Sequence, residues 1–258
     1  MKKRGIPIDA LHCIGCLLLI LNSLLCFLPP AVIFVAPNVP VSVSFVNKLW
    51  MLTFPIFSFL LVEEFHHTDN FKKLAACVLF FAVVLEIPFD LLQCWKPFDI
   101  HLNNPFFTLF LGLLALRILA GTWHVAWKLM GLAALGAVSC VAKCDNGLCG
   151  LLMVLLFQLT RSMPLKRLLQ LLAMLILAWL CPYISLRGIG SMISPGYIPL
   201  CTGQYLNAQY LCVLALIPIS LCGQSHWLGR KRTVAIAYGA VPIAFVAAYF
   251  LRRHILGV

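Results

Sequence analysis

The chain has 258 residues, 62% of them hydrophobic and only 10% charged, with a formal net charge of +11. Its mean hydropathy of +1.00 lies far from that of water-soluble proteins. A soluble enzyme is excluded, and so is a nucleic-acid-binding module, because the 19 basic residues sit in gaps between apolar runs rather than on a polar domain.

A bilayer core about 30 Å thick needs roughly 20 mainly apolar residues per crossing. In lipid every backbone amide must bond internally, so such runs become helices. The pattern predicts an all-α, polytopic transmembrane helix bundle of about nine spans (eight to ten), forming one integral membrane domain over residues 1–258. In chain order the spans are expected at 11–28, 46–62, 74–92, 105–119, 125–141, 148–159, 165–184, 205–221 and 234–251.

Lys2, Lys3 and Arg4 precede the first run, as in a secretory signal. No small-residue cleavage site follows, and Pro29–Pro30 closes the run, so it reads as a retained first helix. With a cytoplasmic N-terminus, 13 of the 19 basic residues fall on inner segments, a positive-inside bias. Arg252 and Arg253, at an outer C-terminus, run against it. Cys13-x-x-Cys16 has metal or redox spacing, but two small polarizable residues at i and i+3 of a membrane helix read as packing surface.

Between the second and third spans lies Glu63-Glu64-Phe65-His66-His67-Thr68-Asp69. It reads as a solvated loop of both charge signs, with metal binding by the paired histidines as the alternative. Glu86 and Asp90 then stand four apart, on one helix face, with Pro88 between them. Ionisable groups at membrane depth need a partner, a cavity or a function. Two carboxylates in a dry site do not both ionise cheaply, and a protonated acid beside an ionised one suits general acid–base catalysis. The bland alternative puts Asp90 in interfacial water and pairs Glu86 with a cation.

Asn104-Pro105 reads as an N-cap and first helical residue, with Thr108 one turn on and His101 as a solvated interface residue. Cys140, Cys144 and Cys149 crowd one outer loop, with Cys94 in another, and an oxidising compartment leaves a disulfide there open as an alternative to free thiols. Asp145-Asn146-Gly147 reads as a turn opening the sixth helix. Residues 185–204, which include Gly188, Gly190, Pro195, Gly196 and Pro199, read as a long outer loop. The sequence contains no P-loop, G-x-S-x-G, zinc-protease signature or visible internal repeat.

Three blocks carry a resemblance. They are Phe54-Pro55-Ile56-Phe57-Ser58-Phe59 continuing to His67-Thr68-Asp69-Asn70-Phe71-Lys72-Lys73, then Glu86-Ile87-Pro88-Phe89-Asp90-Leu91, then Asn104-Pro105-Phe106-Phe107-Thr108 through Ala115. Asp145-Asn146-Gly147-Leu148 is a weaker fourth. In order and spacing the chain resembles the TraX family of bacterial membrane proteins. The resemblance implies a multi-pass protein of the bacterial cytoplasmic membrane, associated with conjugation, that acetylates the N-terminus of pilin or another small acceptor from acetyl-CoA. It implies catalytic Glu86 and Asp90, and substrate binding by Lys48, Asn22, Ser23, Asn104, Thr108 and Asp145. The chain departs from the family pattern where histidines are expected. Asn22–Ser23 replaces an Asp-His pair, Ala244 replaces a C-terminal histidine, and Lys48 replaces an arginine. Two other readings stay open: a non-catalytic relative that binds pilin or assembly components, and a small proton-coupled transporter.

Overall fold

The computed structural model describes residues 5–25, 49–99, 103–184, 197–199, 205–223 and 231–256. Nine α-helices lie among them: α1 (Ile8–Leu25), α2 (Thr53–His67), α3 (Phe71–Cys94), α4 (Pro105–Ala120), α5 (Val125–Val141), α6 (Gly147–Thr160), α7 (Lys166–Ile184), α8 (Leu216–Leu221) and α9 (Lys231–Leu256). The protein is all-α. Short strands are accessory: β1 (Ile6–Pro7) pairs in parallel with β4 (Cys222–Gly223), and β2 (Tyr197–Pro199) pairs antiparallel with β3 (Tyr205–Asn207).

Helix α2 lies at the centre, packed on α1, α4 and α6. Helix α9 packs along both α1 and α3, α3 also touches α4, and α7 packs on α6. Helix α5 is peripheral, resting on α4 and α6. The core runs through this arrangement from Leu11 and Ile56 to Leu85, Leu113, Phe157 and Val241. Small residues permit the closest approaches. A Cβ at Gly150 would meet Thr108 Cγ2 at 2.6 Å and Phe54 Cζ at 2.7 Å. One at Gly112 would meet Val154 Cγ2 at 2.8 Å. Without a hydrophobic force between helices in lipid, such contacts supply the packing.

The windows Phe71–Leu92 and Thr233–His254 are long and apolar enough to cross a bilayer on their own. Large apolar side chains such as Phe80, Trp127, Leu129 and Val141 are exposed.

Two segments, the second and the eighth, differ in kind from the hydropathy expectation. The second segment becomes helical only at Thr53, after a 3₁₀ turn over Leu49–Leu52, with Pro55 in its first turn. It then runs on through Glu63, Glu64, His66 and His67, which are helical rather than loop. The physical reason is tertiary: Glu63 is buried and meets Arg161, so the charged end of α2 is held against α6. The eighth segment is not one α-helix but a 3₁₀ run, Ala208–Ala215, followed by the short α8. Pro218 sits in the first turn of α8, where its missing amide hydrogen leaves no bond within the helix unmade, so it suits a helix that starts afresh there.

Candidate functional site

The helices bring polar groups together at two ends of the bundle. At the first, Asn104 caps α4: its side-chain oxygen accepts from the Phe106 amide at 3.0 Å, and Pro105 takes the first helical position. Its side-chain amide donates to Ala82 O at 2.7 Å and to Glu86 Oε2 at 2.5 Å, and its backbone amide donates to the same Glu86 oxygen at 3.1 Å. Half-buried Glu86 is thus tied to a helix N-terminus, a favourable place for negative charge. The partner is neutral, where a cation was the sequence alternative.

Asp90, one turn on, is only 1% exposed, so it is not an interfacial carboxylate in water. Its Oδ2 accepts from the Asp99 amide at 2.8 Å, while Oδ1 is buried with no hydrogen-bond partner. Pro88 lies inside α3 between the two acids, and the helix continues to Cys94.

The turn from α5 to α6 completes this end. Asn103 donates to Ala142 O at 2.5 Å, the Asp145 amide donates to Asn103 O at 2.8 Å, and the Thr108 hydroxyl donates to Asp145 O. Asn146 adopts the left-handed conformation at φ 62°, as the Asp-Asn-Gly turn predicts, and its side chain donates to Asp145 Oδ2 at 3.2 Å. Cys144 lies in this turn. Burial, with Glu86, Asp145 and Cys140 nearby, pushes its thiol up to about 11. Cys140 and Cys144 are free thiols, and the side chain of Cys94 lies outside the described residues.

A narrow cavity of about 20 Å³, room for about one water molecule, opens beside the Asn104 cap. It is lined by Leu19 of α1, Thr53 and Phe57 of α2, Phe106 of α4 and Asn146. The Thr53 hydroxyl is buried there without a partner. Asn22 and Ser23 are buried in the last turns of α1. Ser23 donates to Ile20 O at 2.7 Å, and Asn22 Oδ1 has no partner. Ala244 is half-buried on α9. Lys48 and His101 lie outside the described residues.

The second polar group lies at the opposite end; Glu63, Glu64, His66 and His67 in it were singled out from the sequence, whereas His12, Arg161, Arg167 and Tyr238 were not given a role there. His12 on α1 is buried, with Nδ1 2.9 Å from the Tyr238 hydroxyl on α9 and Nε2 3.5 Å from Glu64 Oε1 on α2. Beside it Arg161 donates to both carboxylate oxygens of Glu63 at 3.2 and 3.3 Å. Arg167 donates to Gln170 and to Ile219 O, each at 2.9 Å, and Gln170 donates to Thr160 at 3.0 Å. His66 bonds Gln158 and His67 bonds Glu63 O, so both histidines are engaged as side chains of a helix. A signal for His12 existed: it is an ionisable residue within an apolar run, the pattern that marks a site in a membrane protein.

An aromatic layer separates the two ends. The Phe81 ring stacks edge-on against both Phe106 (4.5 Å between centroids) and Tyr238 (5.0 Å), and Phe57 meets the same two rings.

Comparison with known proteins agrees with this arrangement of blocks. A family model described as TraX protein matches residues 39–249, well over half of the chain. The chain belongs to the TraX family. This membership and the two membrane-capable helices make it a membrane protein. Over 104 residues it is 36% identical to a protein of Dichelobacter nodosus named probable fimbrial assembly protein FimC, serogroup H1. That match covers 38% of this chain and 42% of the relative, so the TraX chain spans less than half of that relative's length. No solved structure matches it.

Proposed function

We propose that this TraX family member acetylates a primary amine, the N-terminus of a pilin or of another small acceptor, using acetyl-CoA as donor. It would act as a multi-pass protein of the bacterial cytoplasmic membrane with its N-terminus in the cytoplasm. Family membership and the fimbrial-assembly name of the relative support the link to pilin. The observation that carries the chemistry is Asp90: a carboxyl group buried to 99%, with one oxygen unpartnered, one helical turn from Glu86. A buried carboxylate oxygen without a partner is costly, and a cationic acceptor would remove that cost.

The acceptor enters as an ammonium held by the Glu86–Asp90 pair. One proton passes to the pair and exposes the nitrogen lone pair. Nitrogen attacks the thioester carbonyl carbon, the C–S bond breaks, and the pair returns its proton to the departing thiolate as CoA thiol. The second proton leaves nitrogen as the amide forms. The free Thr53 hydroxyl in the cavity is the donor for the developing oxyanion. Exposed Lys72, Lys73 and Lys166 at the opposite end provide cationic groups suited to the phosphates of a cytoplasmic donor.

Mass spectrometry of the pilin N-terminus, with and without this protein, tests the proposal. Wild type should add one acetyl group, and Glu86→Gln and Asp90→Asn should each lower the rate by about 100-fold or more. An unchanged acceptor mass across a panel of pilins and small amines would overturn it. The relative's name also favours a second reading, a non-catalytic assembly protein. That reading predicts pilin binding that survives Asp90→Asn.

A further inference from the structure

We propose that the cavity beside the Asn104 cap is an acyl pocket that takes the methyl of a two-carbon acyl group and excludes longer chains, with Leu19, Phe57 and Leu109 setting the limit. The inference deepens the acetyl-transfer reading and rests on it for the ligand. The size and lining of the cavity stand independently.

Its lining is layered by polarity. Thr53 opens α2 and Asn146 precedes α6, so both lie at the level of the cap. Phe57 on α2 and Leu109 on α4 stand one turn further in than Thr53 and Pro105, and Leu19 comes from α1. These three are apolar and buried. At the polar level the Thr53 hydroxyl is buried without a hydrogen-bond partner, which is costly unless a ligand completes it. Water is a poor occupant. The space of about 20 Å³ holds a single molecule, and a buried water needs about two to four polar partners. Thr53 offers one, and the Asn146 side-chain amide is turned to Asp145. A carbonyl oxygen at Thr53 with a small apolar group beneath it satisfies both levels. An acetyl group has that form, and its methyl is close to water in size. Asn104 joins the cavity to the acidic pair: its backbone amide donates to Glu86, and Pro105, the next residue, lines the cavity.

The size limit is firm because the wall rings are themselves packed from behind. The Phe57 ring lies against Gly15, where an added Cβ would stand 3.0 Å from Cζ, and it meets the rings of Phe106 and Tyr238. The Phe54 ring lies against Gly150, where an added Cβ would stand 2.7 Å from Cζ. A propionyl or butyryl tail would have to displace such rings, and an interior already packed to this density resists extra methylenes. The pocket itself makes and breaks no bond. It holds the methyl still while nitrogen bonds to the carbonyl carbon and the C–S bond breaks, so it fixes which acyl group reaches the acidic pair.

The test gives the full-length protein acetyl-, propionyl- and butyryl-CoA as donors. Wild type should lose about 10-fold or more in kcat/KM at propionyl, and more again at butyryl. Leu19→Ala and the milder Leu109→Val open the floor without touching Thr53 or the acidic pair. Each should bring propionyl to within about threefold of acetyl. Butyryl used as well as acetyl by wild type, or variants that keep the wild-type ratio, would overturn the pocket. Binding is read separately, by the rise in melting temperature with S-acetonyl-CoA and S-(2-oxobutyl)-CoA, ketones that cannot transfer an acyl group. Wild type should respond to the first and hardly to the second, and Leu109→Val should respond to both. Equal responses in wild type, or none to either ketone, would also overturn the pocket. A wild type that transfers no acyl group yet keeps the selective response would remove only the proposed reaction.

Discussion

Cys144 sits in the turn between α5 and α6, buried, with Glu86 as its first electrostatic neighbour and Asp145 beside it. Desolvation disfavours the thiolate, and two nearby carboxylates disfavour it further, which lifts the thiol from 9.0 to about 11. The thiolate is the nucleophile in alkylation, so maleimide at pH 8 should leave Cys144 unmodified in the folded protein and label it once the protein is denatured. Peptide mass mapping reads both states, and labelling of the folded protein would contradict the burial. The same shift has a consequence for stability. The folded state holds this proton more tightly than the unfolded state, so its contribution is intact below pH 9 and falls as pH rises toward 11. Thermal unfolding should show an alkaline loss over that window that is shallower in Cys144→Ala. Arg252 also gains a reason at this scale. It stacks over the Trp95 ring at 4.2 Å and donates to Leu92 O at 3.2 Å, so it closes the C-terminus of α3.

Asn104 joins a helix start to the acidic pair, and the two jobs can be separated. Asn104→Ala removes the cap of α4 and two donated hydrogen bonds at once, and should cost about 2–3 kcal/mol in unfolding measured in detergent. Asn104→Asp keeps an N-cap oxygen but sets a carboxylate against Glu86 instead of a donor. If it were as stable as wild type, the Glu86 contact would have no energetic weight. This element was legible in the sequence because a cap followed by proline is a local signal, as is the Asp145-Asn146-Gly147 turn. The His12–Tyr238 contact was not, since its partners are 226 residues apart and each looks like an ordinary member of an apolar run. The end of α2 failed for a related reason. Glu63 to His67 reads as loop by charge, but Arg161, 98 residues away, makes helix the better state for Glu63. Hydropathy also could not distinguish the 3₁₀ run before α8 from an α-helix, because the apolar run Ala208–Ala215 is equally compatible with either period.

The bundle as a whole has an uneven height. Helices α4, α5 and α6 have 16, 17 and 14 residues; at 1.5 Å per residue they are about 24, 25 and 21 Å long. Helices α3 and α9, with 24 and 26 residues, reach about 36 and 39 Å. A bilayer core of about 30 Å suits neither group, and the two groups relieve the mismatch differently. Long helices tilt at small cost, whereas short ones require the bilayer to thin or the helix ends to be dragged into hydrocarbon. The short group carries the Asn104 cap, the Thr108–Asp145 bond and the Gly150 and Gly112 contacts, so it cannot stretch without breaking polar bonds. Peripheral α5 has exposed apolar residues along its length, ending at Val141 with 83% exposure, a surface that hydrocarbon would cover at no cost. The protein should therefore unfold at a higher temperature in bilayers of short-chain than of long-chain phosphatidylcholine. The difference should shrink in Asn104→Ala, where the capped end of α4 is already released. Equal melting temperatures in thin and thick bilayers would mean that the short helices do not face hydrocarbon, and the membrane arrangement of α4 to α6 would have to be redrawn.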